Sequence, residues 1–148
     1  MGIVPSLKKV FPTVLTETTK QMMRSLIVQD IMSYPVKTID AGSTMDDAAK
    51  LMGRHHVGSL IVMDNDEPAG IVTERDLLTT MIAKGKPLST PVGNVASTPL
   101  MVTDMDVNVY EAANIMTHNK IKRLPLVDEN DELRGIITAR DLVEAFSK

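Results

Sequence analysis

The sequence predicts a mixed α/β (α+β) fold made of two copies of a β-α-β-β-α unit, and three observations carry that expectation. First, the chain repeats itself. VQDIMSYPVKTID from Val28 aligns with VGNVASTPLMVTD from Val92, and DDAAKLM (Asp46 to Met52) with YEAANIM (Tyr110 to Met116). SLIVMD (Ser59 to Asp64) aligns with RLPLVD (Arg123 to Asp128), and GIVTERDLL (Gly70 to Leu78) with GIITARDLV (Gly135 to Val143). The copies lie about 64 residues apart, too long for a short solenoid repeat, and two copies suggest a pseudo-twofold pair within one chain. Second, each copy alternates helical apolar spacing with short continuous apolar runs. Third, the 148 residues are 43% hydrophobic and 24% charged, an ordinary globular composition. A chain this long buries roughly 68–70% of its unfolded surface and needs no staples.

The elements follow in order. A short β segment opens each copy, Val36 to Ile39 and Met101 to Thr103. A helix comes next, with apolar residues at helical spacing: Met45, Ala48, Ala49 and Met52 in one copy, Val109, Ala112, Ala113 and Met116 in the other. Ser43 and Thr44 are its candidate N-caps in the first copy. Leu60 to Met63 and Leu124 to Val127 are continuous apolar strands, as expected of buried ones. Asp/Asn-rich turns lead to second strands, Gly70 to Thr73 and Gly135 to Thr138. A final helix runs from Glu74 to about Ala83, and from Ala139 to about Phe146. The domain plan is an N-terminal segment 1–27, repeat 28–83, linker 84–91 and repeat 92–148. The linker KGKPLSTP is polar with two prolines. Residues 13–27 can form an extra helix whose Leu15, Met22, Met23 and Leu26 pack on the core or on a partner chain. Pro5 and Pro12 argue against order before it, and disorder is expected only near the start.

Composition also excludes function classes. A formal net charge of −3 argues against a nucleic-acid coat, and 3% aromatics without Trp against a base-stacking platform. Cysteine is absent, which removes disulfides, thiolate metal sites and a Cys nucleophile. No apolar run approaches the roughly 18 residues that span a bilayer, and MGIVPSLKKVFP lacks a signal-peptide core. The expectation is a cytoplasmic protein with no nucleic-acid or membrane partner. No Gly-rich phosphate loop with Lys, G-x-S-x-G or H-E-x-x-H occurs, so an enzyme is not expected.

The chemistry sits in the doubled string G-h-h-T-x-x-D-L, seen as GIVTERDL and GIITARDL. Taken once, Thr73 or Thr138 followed three residues later by an acid is a helix capping box. Taken twice, with the same glycine ahead of the same strand, it also suits a ligand. A strand-to-helix junction offers free N–H groups and the positive end of a dipole. A Thr hydroxyl there donates to a phosphate, and an Asp one turn on accepts from two vicinal ribose hydroxyls. Gly70 and Gly135 are expected to let the ligand approach the backbone.

On these residues the chain resembles the tandem CBS-domain pairs, also called Bateman modules, over roughly residues 28–147. The two β-α-β-β-α copies, M-S-x-P-V at Met32 to Val36, L-P-L-V-D at Leu124 to Asp128 and both T-x-x-D motifs carry the likeness. The resemblance implies two β-sheets packed face to face about a pseudo-twofold axis, with helices outside. It implies regulatory binding of AMP, ADP, ATP or S-adenosylmethionine in two clefts between the repeats, energy sensing, no required cofactor, a homodimer built through the helices, and an unidentified effector protein. By carry-over, one site joins Thr138, Arg140 and Asp141 to Thr38, Ile39, Val57 and Gly58. The other joins Thr73, Arg75 and Asp76 to Val102, Ile121, Lys122 and Arg123. Lys122 and Arg123 are Gly58 and Ser59 in the first copy, so the second site is expected to prefer phosphate-rich ligands. Ala96 in place of Met32 and the missing cations argue against equal occupancy. The alternative is a ligand-free scaffold whose T-x-x-D motifs only cap helices.

Weaker signals add little. His55, His56 and His118 have no third ligand placed to complete a metal site, and a surface or phosphate-proximal role suits them better. The acidic turns at Asp64 to Pro68 and Asp128 to Glu132 read as hairpins. Met45, Met52 and Met116 belong to apolar helix faces, while Met32, Met101 and Met105 lie near the expected clefts. Tyr34, beside Pro35, can lie over a base or on the surface.

Overall fold

A computed structural model describes residues 16–146. Leu15, Pro5, Pro12 and the disorder expected near the start lie outside them. Among the described residues there are five helices and two three-stranded sheets. The chain divides into two compact units. A contiguous unit comprises Val36–Met101, and a split unit joins residues 16–35 to residues 102–146.

In the contiguous unit, β1 (Thr38–Asp40) leads into helix α2 (Met45–His55), strand β2 (Ser59–Asp64) and strand β3 (Glu67–Thr73). β1 is parallel to β2, with Thr38 opposite Ile61, and β3 is antiparallel to β2. A parallel pair needs a crossover, and α2 supplies it. Thr44 is the N-cap, completed as a capping box by Asp47. The β2–β3 turn places Asn65 and Asp66 at positive φ (52° and 63°), as a two-residue hairpin turn demands. The helical turn α3 (Glu74–Asp76) then continues as a π-helical stretch, Leu77–Ile82. The α-helix expected to reach Ala83 is therefore interrupted. Thr79 Oγ1 donates to the Arg75 carbonyl at 2.9 Å, a side-chain bond that competes with regular helix pairing.

The split unit repeats the pattern: β4 (Thr103–Asp104), α4 (Val109–Asn119), β5 (Arg123–Val127), β6 (Leu133–Thr138) and α5 (Ala139–Ala145). β4 is parallel to β5 and β6 antiparallel to it. Equivalence extends to irregularities. Both hairpins shift register at matching positions, Val62/Met63 and Leu126/Val127. Both crossover helices end on a left-handed residue, His56 and Lys120. The split unit adds α1 (Glu17–Ser25), the helix expected within 13–27. Its Met23 is buried, and the Arg24 guanidinium lies 4.5 Å above the Tyr110 ring.

Each unit has its own core. Met45, Ala48, Met52, Leu60, Val62, Val72, Met81 and Val92 fill one. Met23, Val28, Val109, Met116, Leu124, Leu126, Ile137 and Leu142 are central to the other. The first strands are shorter and begin later than expected, because only Thr38–Asp40 and Thr103–Asp104 find partners on β2 and β5. The second strands begin earlier, at Glu67 and Leu133.

The units are not the sequence repeats. The opening stretch of each copy, 28–35 and 92–101, belongs to the unit formed by the rest of the other copy. Its hydrogen bonds show why. In the split unit the Val109 N–H donates to Leu26 C=O (2.8 Å) and the Val28 N–H to Val107 C=O (2.9 Å). In the contiguous unit the Met45 N–H donates to Thr90 C=O (2.9 Å) and the Val92 N–H to Ser43 C=O (2.7 Å). The first-turn N–H groups of a helix have no partner within it, and these incoming segments supply one. Part of the expected linker, Leu88 and Thr90, is thus bound to the start of α2.

Candidate functional site

Both T-x-x-D motifs stand where the sequence places them, at the passage from the third strand of a unit into its last helix. At β6–α5, Thr138 is in extended backbone and caps the helix. Its N–H donates to Asp141 Oδ2 (2.8 Å), and its Oγ1 accepts from the Asp141 N–H (3.1 Å). At β3–α3, the Thr73 N–H donates to Asp76 Oδ2 (2.9 Å), and the Thr73 hydroxyl donates to the same oxygen (3.3 Å). Both carboxylates are half-buried.

The two acids differ in what else they hold. Asp141 Oδ1 accepts a hydrogen bond from the Ser33 hydroxyl at 3.3 Å, across 108 residues of sequence. Ser33 reaches this point because its segment runs antiparallel beside β6, exchanging two backbone bonds with Ile136 (2.9 and 3.0 Å). Ser97 runs beside β3 in the same way, exchanging bonds with Ile71 (2.9 and 3.1 Å). No Ser97 side-chain bond to Asp76 occurs among the described residues. Ser33 was not among the candidates. Its coincidence with Ser97 in the repeat was the available signal, but nothing in a sequence says which strand such a segment crosses.

These crossing segments correct the role expected of the glycines. A Cβ on Gly135 would overlap the Met32 side chain and lie 3.2 Å from Ser33 O. A Cβ on Gly70 would lie 2.7 Å from Ser97 O and 2.8 Å from Thr98 Cγ2. The close approach at both glycines is made by the chain's own crossing segment, not by a ligand. Met32 accordingly lies on Gly135 and against the core, and Met105 also packs on that core. Met101 is exposed.

The other candidates fall as follows. In the split unit, Arg123 is paired with Thr138 in register, and the Ala139 N–H donates to Lys122 C=O (3.0 Å). The hairpin sets this: the start of β5 must lie opposite the end of β6. Lys122 is exposed, Arg123 and Ile121 are half-buried, and Val102 is exposed. Arg140 points along α5, its Nε 2.9 Å from Glu144 Oε1. In the contiguous unit, Ser59 is paired with Thr73, and the Glu74 N–H donates to Gly58 C=O (3.0 Å). Val57 is half-buried, Thr38 and Arg75 are exposed, and Ile39 is in the core. The residues expected to join Thr138 thus lie in the contiguous unit, and those expected to join Thr73 in the split unit. Within each unit the structure brings Lys122 and Arg123 beside Thr138, and Gly58 beside Thr73.

Tyr34 is 71% exposed and next to Ser33. The Tyr34–Pro35 and Thr98–Pro99 bonds are cis. His55, His56 and His118 are exposed. Among the described residues no group of three or more His, Cys, Asp or Glu is placed to hold a metal ion. No helix among them is long and apolar enough to cross a membrane.

Comparison with known proteins gives a consistent result. The family model of the CBS domain matches residues 28–83 and 92–148. An uncharacterized protein of Methanopyrus kandleri is 36% identical over 124 residues, covering 82% of this chain and 63% of that protein. The CBS domain-containing protein YhcV of Bacillus subtilis is 36% identical over 115 residues, covering 78% of this chain and 81% of that protein. Among solved structures, the CBS domain pair of protein MJ0100, in complex with 5′-methylthioadenosine and S-adenosyl-L-methionine, superposes with a TM-score of 0.73. It is 26% identical, with 81% of this chain and 94% of that chain covered.

Proposed function

The chain belongs to the CBS-domain family, as a tandem pair, and we propose that it is a non-catalytic regulatory module that binds adenosine derivatives at its T-x-x-D junctions. The observation that carries this reading is the division of labour on Asp141. Oδ2 is taken by the helix cap, while Oδ1 accepts from a hydroxyl. A carboxylate so held offers a hydroxyl acceptor at the end of a strand, the chemistry a ribose requires. The solved relative with bound S-adenosyl-L-methionine and 5′-methylthioadenosine supports an adenosine-containing ligand for this chain too. The candidates are AMP, ADP, ATP and S-adenosylmethionine. The resemblance groups Lys122 and Arg123 with Thr73, but the fold sets them beside Thr138, so the preference for a phosphate-bearing ligand moves to the Thr138 junction, because two cations provide charge-assisted bonds. Gly58 and Ser59 in the equivalent place favour a less charged one. Binding shifts a conformational population that an effector protein reads, and the working form is a homodimer.

The complete capping box at Thr138 and the Thr73 N–H bond to Asp76 favour a second reading, a scaffold in which these residues only start helices. Substitution separates the two. Thermal shift is recorded with AMP, ADP, ATP, S-adenosylmethionine and GTP. A ligand at 100 times its Kd adds about 2.7 kcal/mol, or several degrees at roughly 2–4 °C per kcal/mol. Asp141→Ala is expected to abolish the shift at its junction, and Asp76→Ala at the other. If both variants lose only the stability of a cap, about 1 kcal/mol, and no adenosine ligand shifts either protein, the scaffold reading holds.

A further inference from the structure

We propose that the Ser33 hydroxyl is a built-in competitor on Asp141, so that ligand binding at this acid is opposed by the segment that leads from α1. This rests on the reading above, in which Asp141 receives a sugar hydroxyl.

The Ser33 Oγ bond goes to Oδ1, the oxygen that the helix cap leaves free. A ribose hydroxyl that takes Oδ1 competes for the same lone pairs and displaces it. Displacement is felt along a defined segment. Ser33 is paired to Ile136, Met32 lies on Gly135, and Val28 is bonded to Val107. Leu26 accepts from the first turn of α4, and Met23 and Arg24 of α1 pack on the same unit. The Ser33–Asp141 bond is the point at which this segment touches the candidate acid. Among the described residues Asp76 has no such tether: the hydroxyl on its carboxylate comes from Thr73, three residues away. A ligand at Asp76 therefore rearranges one local side chain, whereas a ligand at Asp141 also frees a side chain of the incoming segment. By reciprocity, whatever strengthens the hold of the segment weakens the ligand by the same factor.

The test uses the full chain carrying Asp76→Ala, so that only the Asp141 junction titrates. AMP, ATP and S-adenosylmethionine are each titrated by calorimetry into this protein and into the same protein with Ser33→Ala or Ser33→Thr. A single exposed hydrogen bond sets the scale, so Ser33→Ala is expected to tighten binding about 2- to 10-fold. Ser33→Thr keeps the hydroxyl, suits an extended backbone, and is expected to restore the weaker affinity. Hydrogen exchange over residues 27–35 supplies a second readout. Saturating ligand is expected to speed exchange there with Ser33 present, and to leave it unchanged in Ser33→Ala. Binding that needs Asp141 but is unchanged or weakened by Ser33→Ala overturns the competitor and leaves the ligand reading standing. Binding of none of the three probes, or binding indifferent to Asp141→Ala, overturns both.

Discussion

The contiguous and split units share a backbone nearly element for element, down to matching register shifts and left-handed helix ends, yet they differ wherever a side chain meets the T-x-x-D acid. Asp76 is held by Thr73 alone among hydroxyl donors, Asp141 by a serine from a distant segment. The base of one junction carries Lys122 and Arg123, the other Gly58 and Ser59. One last helix is regular, while the other passes into a π-helical stretch that exposes Leu78 and Ile82. Among the described residues only the split unit carries a helix like α1. What the two units share is the junction where Thr and Asp meet and the glycine beneath the crossing strand. The side chains around the acid differ, and there two equivalent backbones become two different junctions.

The largest expected effect concerns α1. Met23 is fully buried in the split unit's core, so Met23→Ala is expected to cost about 2–5 kcal/mol in chemical denaturation. Retention of full stability would mean that α1 is an appendage and that the units are more alike than their cores suggest.

The glycines come next, and they sharpen the comparison. Gly70→Ala drives a methyl against a backbone carbonyl at 2.7 Å, which cannot swing away. Gly135→Ala meets chiefly the flexible Met32 side chain. Overpacking costs about 1–3 kcal/mol, with Gly70→Ala expected at the upper end and Gly135→Ala at the lower, both read as Tm. Met32→Ala is expected to recover part of the Gly135→Ala loss and none of the Gly70→Ala loss.

The smallest effect separates the hairpins. The Arg134 guanidinium, 2.7 Å away, holds the Asp128 carboxyl below its usual 3.8, and the Glu132 and Asn130 N–H groups add to this. A folded value below the unfolded one means stability that is present above the usual carboxylate value and lost as pH falls through the folded one. Asp128→Asn is therefore expected to lower Tm slightly at pH 7. The gap to the parent protein should close in strong acid. The β2–β3 turn places two residues, Asn65 and Asp66, at positive φ, and the β5–β6 turn places one, Asp131.

Much of this was legible in the sequence. Repeat spacing located every β-α-β-β-α element, and Thr44 was one of two named caps. The T-x-x-D junctions could be placed because strand end, cap and acid are neighbours in sequence. What was not legible is non-local. Gly70 and Gly135 announced a close approach, but not that Ser97 and Met32 make it. Ser33 matched Ser97 by repeat, yet its bond to Asp141 depends on which strand its segment crosses. LLTTMI carries the apolar pattern of an ordinary helix, and the departure shows in a backbone bond spanning five residues, from the Ala83 N–H to Leu78 C=O, which no apolar spacing announces.

The exchange of opening segments also orders assembly during synthesis. The strands and core residues of the contiguous unit all lie within Val36–Met101, so they are all available once Met101 has left the ribosome. The split unit cannot close on the same schedule. Its residues 16–35 are made first but find their hydrogen-bond partners, Val107, Val109 and Ile136, only after the whole contiguous unit has been translated. Contacts that distant in sequence form slowly, because loop closure precedes any gain. The serine that touches Asp141 is thus among the first described residues to be synthesised, and its partner among the last.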